Sequence, residues 1–310
     1  MSATDADAGH ELDPNAGARH ELDPVAGAVS RGARRPLIGV IGGLGPAATV
    51  DFYAKVVAAT VASRDQEHVR LIIDGDPEVP DRSGAIAGTG ESSGPALIDK
   101  ARRLAAAGAD LLVMPCNSAH AFEADIRASV DLPFVSIVEE AVRRAADLLP
   151  PTEDHTPSGA GQETAGRTEN GVRPGVGVLA TSGTHAAGIY RTVLARHDLT
   201  MVEPMPDEIE LFMRLVTRIK GGEASDAGVK SAMARLAASL VERGAAVIIA
   251  GCTEAPLVLD DSALTAELRS RGLPPAAFVD STAALASAVV ALGTGLRDPY
   301  SSVETVRAKL

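Results

Sequence analysis

Leu104-Ala-Ala-Ala-Gly-Ala-Asp-Leu-Leu-Val-Met-Pro-Cys-Asn-Ser-Ala119 aligns without a gap on Leu240-Val-Glu-Arg-Gly-Ala-Ala-Val-Ile-Ile-Ala-Gly-Cys-Thr-Glu-Ala255, 136 residues further on. Leu, Gly, Ala, Cys and Ala coincide, and the apolar positions match in type. Working outward, Pro36-Leu-Ile-Gly-Val-Ile41 matches Pro174-Gly-Val-Gly-Val-Leu179 at a spacing of 138. Tyr53 matches Tyr190 at 137, and Phe134-Val135 matches Phe278-Val279 at 144. Nearly constant spacing through four elements points to two similar α/β halves related by duplication. The competing explanation is that any two βα units share Gly turns and Val/Ile strands. It does not account for the only two cysteines occupying the same slot.

Between these anchors strand and helix patterns alternate. Leu37–Ile41 reads as a strand, followed by a Gly-rich turn and a helix over Ala48–Ala59. Val69–Ile73 and Leu111–Met114 read as strands; Ile98–Ala107 and Glu139–Leu149 read as helices. Short apolar strands between helical stretches imply parallel βαβ units. The expected organisation is a disordered tail over 1–35, an N-terminal α/β domain over 36–134, and a C-terminal α/β domain over 135–280. Residues 151–173 read as a flexible insertion and 297–310 as a polar tail. The tail repeats Glu11-Leu-Asp-Pro-Asn-Ala-Gly-Ala18 as Glu21-Leu-Asp-Pro-Val-Ala-Gly-Ala28, with too few large apolar residues to offset the entropy of ordering.

The 310 residues carry 29 basic and 41 acidic side chains, a net charge of −12. That balance argues against nucleic acid, whose binding rests on neutralising phosphates. Five Phe, three Tyr and no Trp leave little for base stacking. No apolar run approaches the ~18 residues of a membrane span. The acidic, Ala/Gly-rich start lacks the pattern of a signal peptide, so a cytoplasmic location is expected. Two cysteines exclude a disulfide-dense scaffold, and seven scattered His add no metal-ligand spacing.

Cys116 and Cys252 each follow an apolar run and precede small polar residues. That puts each at the carboxyl end of a strand, the edge where open parallel sheets bind ligands. A helix start there would favour the thiolate. If the halves face each other, the thiols lie on opposite sides of whatever binds between them. Removing a proton from one face of a carbon and returning one to the other needs that arrangement, with one thiolate and one thiol. Buried core cysteines and a redox pair are the alternatives. His120, four residues after Cys116, suggests a cysteine hydrolase dyad but reads better as a local hydrogen-bonding residue. Gly43-Leu-Gly45 approximates a dinucleotide turn without a well-spaced acid after it.

These residues resemble the aspartate/glutamate racemase family, specifically its cofactor-independent aspartate racemase branch. The resemblance runs from about Leu37 to Leu296. It rests on Gly39-Val-Ile-Gly-Gly-Leu-Gly-Pro46, Arg64-Asp-Gln-Glu-His68, Val79-Pro-Asp-Arg82, Met114-Pro-Cys-Asn-Ser-Ala-His-Ala-Phe122 and Ile249-Ala-Gly-Cys-Thr-Glu254. It implies two α/β domains with parallel sheets flanked by helices and related by a pseudo-two-fold. The site would lie between them, with Cys116 and Cys252 as acid/base pair, no cofactor and no metal. It further implies that a C-terminal helix over 281–292 packs back on the first domain, and that the protein is a homodimer. Ser118 stands where the family often has Thr; Glu254 is typical of the aspartate branch, where glutamate racemases more often carry His.

An amino dicarboxylate needs anchors for both carboxylates. The α-carboxylate suits the turns after the strands, with Asn117, Ser118 and Thr253 as donors and Gly43 permitting close approach. Arg82 suits the side-chain carboxylate because its planar fork binds bidentately. Lys220, 138 residues after Arg82, resembles a family substrate-pocket lysine. The expectation is pyridoxal-phosphate-independent aspartate racemisation. A broad aspartate/glutamate racemase and a dicarboxylate decarboxylase or cis–trans isomerase on the same scaffold are the alternatives.

Overall fold

A computed structural model describes residues 34–149 and 175–298. The repeat at 11–28, the proposed insertion at 151–173 and nearly all of both proposed tails lie outside these residues. Arg34, Arg35 and Arg297 lie inside them. Arg35 donates to the carbonyls of Gln66, Glu67 and His68, and Arg297 pairs with Glu140 at 2.9 Å.

The first half runs β1 (Leu37–Ile41), α1 (Pro46–Ala59), β2 (Arg70–Asp74), α2 (Arg82–Ile86), α3 (Gly94–Ala106), β3 (Leu111–Val113), α4 (Glu123–Ser129), β4 (Phe134–Val135) and α5 (Ile137–Leu148). The second runs β5 (Gly175–Leu179), α6 (Ser182–Ala186), α7 (Ile189–Arg196), β6 (Met201–Val202), α8 (Pro206–Lys220) and α9 (Ala227–Glu242). It continues through β7 (Ala245–Ala250), α10 (Asp261–Ser270), β8 (Ala277–Asp280) and α11 (Ser281–Gly293). The sheet orders are β2-β1-β3-β4 and β6-β5-β7-β8, parallel throughout. This is the expected class, two helix-flanked parallel α/β units with the same strand order.

Three helices start earlier than the apolar pattern suggests. Proline in the first turn, whose missing N–H costs nothing there, carries α1 back to Pro46 and α3 back to Gly94. α5 starts at Ile137, directly after β4. Gly39 on β1 and Gly177 on β5 occupy the same slot. A Cβ on Gly39 would meet Leu112 at 2.8 Å and Leu104 at 3.2 Å; one on Gly177 would meet Ile248 at 2.8 Å and Leu240 at 2.9 Å. The helix before the central strand pair thus approaches the sheet equally closely in both halves.

One apolar cluster joins the halves: Ile38, Val40 and Phe52 pack with Val176, Val178, Val279 and Leu285. α11 packs against both α1 and α5, and α5 against α7. The last helix of the chain therefore lies against the first. A buried ion cluster fixes that contact. Lys55 on α1 lies 2.6 Å from Asp280 and 2.5 Å from Asp51. Asp280 also caps α11, accepting from the N–H groups of Thr282 and Ala283. Burial alone would lower the Lys55 pKa, but the two carboxylates raise it instead. Among the described residues no helix is long and apolar enough to cross a membrane.

Candidate active site

The carboxyl ends of β3 and β7 open on one cleft with a cavity volume of about 150 Å³. At roughly 10–15 Å³ per water-sized group, that holds on the order of ten such groups, the scale of a small amino dicarboxylate. Cys116 and Cys252 both line it, as do Arg82, Asn117, Ser118, Lys220, Thr253 and Glu254. Eight of the nine site residues read from the sequence therefore meet at one place. Gly43 does not line the cleft; Leu44 does. The Gly43 N–H is given to the Thr49 hydroxyl at 2.9 Å, and its φ of +81° sets it 2.2 Å, in Cβ terms, from the Asp76 carbonyl. Its place in the site is to let the loop fold tightly.

The expected helix starts behind the thiols are short. A 3-10 turn, Ser118–Phe122, follows Cys116, and another, Ala255–Leu257, follows Cys252. Neither builds the dipole of a long helix, so the expected thiolate bias is weak. For Cys252 the environment acts the other way. Its thiol donates to Glu254 Oε2 at 3.0 Å, and the Thr253 hydroxyl donates to the same oxygen at 3.3 Å. Burial, and then the Glu254 carboxylate, push the Cys252 pKa well above its ordinary value. Cys252 is thus a thiol at neutral pH. Lys220, half exposed at the end of α8, lies 3.5 Å from the other Glu254 oxygen. Among the described residues no carboxylate hydrogen-bonds to Cys116; its sulfur lies 3.7 Å from the Ser118 hydroxyl.

Asn117 differs from the expectation of a simple carboxylate donor. Its Oδ1 accepts from the Tyr190 hydroxyl at 2.7 Å and its Nδ2 donates to Ser281 Oγ at 3.2 Å. Ser281 in turn donates to the Ala250 carbonyl at 2.7 Å. This buried chain ties the Cys116 turn to the strand end that carries Cys252. Burial raises the Tyr190 phenol far above its ordinary ionisation, so it stays a donor. His120 is the local residue the sequence suggested. The Ile137 N–H donates to its Nε2 at 3.3 Å, so the ring is neutral and Nδ1–H donates to the Cys116 carbonyl at 2.8 Å. Burial lowers its pKa and holds that state.

Arg82 opens α2, behind Asp81, whose side chain caps the helix. One terminal nitrogen donates to the Val79 and Pro80 carbonyls at 3.2 Å. Its Nε is buried without a hydrogen-bond partner. Among the described residues no carboxylate pairs with this guanidinium, and Arg82 lines the cleft. Thr181, Thr184, Met213 and Thr217 also line the cleft and were missed from the sequence. Thr181–Thr184 sits after β5, where the first half has its Gly-rich turn, so the duplication was the signal that could have found it.

The family model for Asp/Glu/Hydantoin racemase matches residues 41–153 and 158–289. The chain belongs to the Asp/Glu/hydantoin racemase family. Among curated relatives, the broad specificity amino-acid racemase RacX of Bacillus subtilis is 31% identical over 111 residues, covering 34% of this chain and 48% of RacX. A glutamate racemase of Pseudomonas paraeruginosa is 30% identical over 185 residues, covering 58% of this chain and 56% of the relative. The chain thus spans about half the length of the curated relatives it matches. Among solved structures, Picrophilus torridus aspartate racemase superposes with a TM-score of 0.63 at 24% identity, covering 83% of this chain and 94% of that one. Glutamate racemase from Bacillus anthracis does so at 0.56 with 16% identity, covering 85% and 84%. At these identities the superpositions speak for the fold the family shares.

Proposed function

We propose that this chain interconverts L- and D-aspartate by two-base proton transfer at Cα, without pyridoxal phosphate. The observation that carries the reading is the pair of thiols in one cleft beside an unpaired guanidinium. The Arg82 fork receives the side-chain carboxylate. Ser118, Thr253 and the turn backbones receive the α-carboxylate, where charge builds as the α-proton leaves. Each 1.4 kcal/mol by which they favour that charge over the ground state gives about tenfold in rate.

In one direction Cys116, as thiolate, takes the α-proton and becomes a thiol. Cys252 turns from Glu254 and gives its proton to the opposite face of Cα, becoming a thiolate. The substrate is inverted and the enzyme is left in the complementary protonation form, which serves the reverse direction. Lys220 offsets the charge of a Cys252 thiolate beside Glu254. The acidic surface is no obstacle, since Arg82 and Lys220 supply positive charge where the acid binds.

The test incubates the protein with L-aspartate in D₂O without pyridoxal phosphate. D-Aspartate carrying α-deuterium is expected, and neither Cys116→Ala nor Cys252→Ala should form it. Absence of both products, or a fully active single mutant, refutes the two-base reading. L-Glutamate in parallel separates an aspartate racemase from a broad one.

A further inference from the structure

Two short helices, one from each half, meet beside the cleft. Asp81, which caps α2, lines the cleft with Arg82 and Ser83 from the first half; Thr181, which caps α6, lines it with Thr184 from the second. α2 packs directly against α6, and each also packs against the 3-10 turn that follows Cys116. Gly183, buried on α6, stands at the contact. A Cβ there would meet Ser83 Cα at 3.0 Å, Ser83 Oγ at 3.1 Å and Ile86 Cδ1 at 3.2 Å. All three are short of ordinary van der Waals separation, so a larger residue drives α2 back. The backbone of Gly183 is not left-handed, so its conformation does not call for glycine. A helical glycine is a poorer choice than alanine, and the close approach of α2 is what requires it here.

Both helices are braced, so the contact sets a distance instead of absorbing one. The Asp81 side chain accepts from the Gly84 N–H at 2.6 Å, and the Pro80 carbonyl accepts from Ser93 Oγ at 2.9 Å. Arg82 donates to the carbonyls of Val79 and Pro80. Any retreat of α2 therefore carries the guanidinium with it. On the other side the Thr181 hydroxyl accepts from the Thr184 N–H at 3.3 Å, and the Ser182 N–H donates to Met213 Sδ on α8 at 3.4 Å.

We propose that Gly183 is a specificity-determining residue: it holds Arg82 close enough to the second half for the cleft to prefer a dicarboxylate of aspartate's length over one a methylene longer. With no Cβ at the contact, α2 and α6 approach more closely than any residue with a side chain would permit. Arg82 then stands at the shortest distance from Thr253 and the Cys252 turn that this pairing allows. A cleft for the longer acid would gain nothing from that approach. One methylene more or less is worth roughly 10–200-fold in a fitted pocket. The inference rests on the dicarboxylate reading of the cleft given above, and not on the proton transfer.

Calorimetric titration with L-aspartate and L-glutamate reads binding whether or not the protein racemises them, because enantiomers are isoenergetic. The wild type should bind L-aspartate at least tenfold more tightly. Gly183→Ala should reduce that ratio at least fivefold, chiefly by weakening aspartate, while Ala186→Ser on the exposed side of α6 leaves it unchanged. Ile86→Phe presses on the same contact from α2 and should move the ratio the same way, which guards against misfolding of Gly183→Ala. Equal binding of the two acids by the wild type, binding of neither, or a ratio unmoved in either variant overturns the proposal. Equal weakening of both acids also overturns it, since a merely loosened cleft would act that way. A wild type with the expected ratio that forms no D-aspartate refutes the proposed reaction and leaves this inference standing.

Discussion

Removing one oxygen 73 residues away from Cys116's neighbour should disturb the reaction without touching substrate. Tyr190→Phe deletes the hydroxyl that donates to Asn117 Oδ1 at 2.7 Å. Both side chains are nearly fully buried, at 1% and 2% exposure, so no water replaces the lost donor cheaply. A buried acceptor left without its partner costs about 1–3 kcal/mol. At about 2–4 °C per kcal/mol for a chain of this size, the melting temperature should fall by roughly 2–12 °C. Asn117 is then held by Ser281 alone. The turn carrying Cys116 gains freedom, and misplacing a reacting group by an ångström costs up to ~10²-fold in rate.

Calorimetry and polarimetric racemisation measure the two effects together. KM should change little, because the Arg82 guanidinium is untouched, while kcat falls. Ser281→Ala should act on the same chain, so the double variant should lose less than the sum of the singles. An interaction energy within roughly 0.5–3 kcal/mol is expected for residues of one network. A Tyr190→Phe enzyme with wild-type stability and kcat, or strict additivity with Ser281→Ala, refutes the claim that this chain positions the Cys116 turn.

The Cys252 thiol is held above its ordinary pKa by burial and by Glu254. In a Cys116→Ala background its alkylation by iodoacetamide should therefore be slow at pH 8, and Glu254→Gln, which removes the acceptor and its charge, should speed it several-fold; equal rates would clear Glu254. The same shift fixes a stability sign: above the unfolded thiol pKa the unfolded chain releases a proton that the folded chain keeps, so stability falls as alkaline pH rises, and urea melts between pH 8 and 10 should show a smaller fall in Cys252→Ala. Arg82→Ala should cost dicarboxylate substrates at least tenfold in kcat/KM relative to monocarboxylic amino acids, measured by competition. Lys55→Ala strands Asp280 and Asp51 without their shared cation; it should destabilise by ~3–5 kcal/mol, as loss of one member of a buried pair does, and a denaturation midpoint unchanged from wild type would contradict the ion cluster's role.

The fold was legible because its signals are local and occur twice. Short β-branched runs, Gly turns and alternating helices recur at nearly fixed spacing. That repetition placed both cysteines at the carboxyl ends of matching strands. Arg82 was read from its own chemistry, a planar fork that can bind a carboxylate bidentately, and it lines the cleft. What stayed hidden depends on partners far along the chain. Asn117 read as a carboxylate donor because nothing near it shows that its amide is held from 73 and 164 residues away. Gly43 read as a contact because glycines flank ligands, yet its N–H is taken by Thr49.

The duplication also explains why the proposed chemistry needs a broken symmetry. Two copies of one βα unit would deliver two equivalent thiols, with nothing to assign the proton to one rather than the other. A two-base reaction needs one of each. The halves differ around each cysteine, and two residues after it the first has Ser118 where the second has Glu254. Serine is neutral and lies 3.7 Å from its sulfur; the glutamate accepts the Cys252 proton at 3.0 Å. Burial and then the Glu254 carboxylate raise the Cys252 thiol, and Ser118 brings no charge to Cys116. Glu254→Ser should remove the carboxylate's part of that shift: in a Cys116→Ala background the alkylation profile of Cys252 should move to lower pH. If the profile stays where it was, burial alone raises the Cys252 thiol, and Glu254 is not a source of the shift.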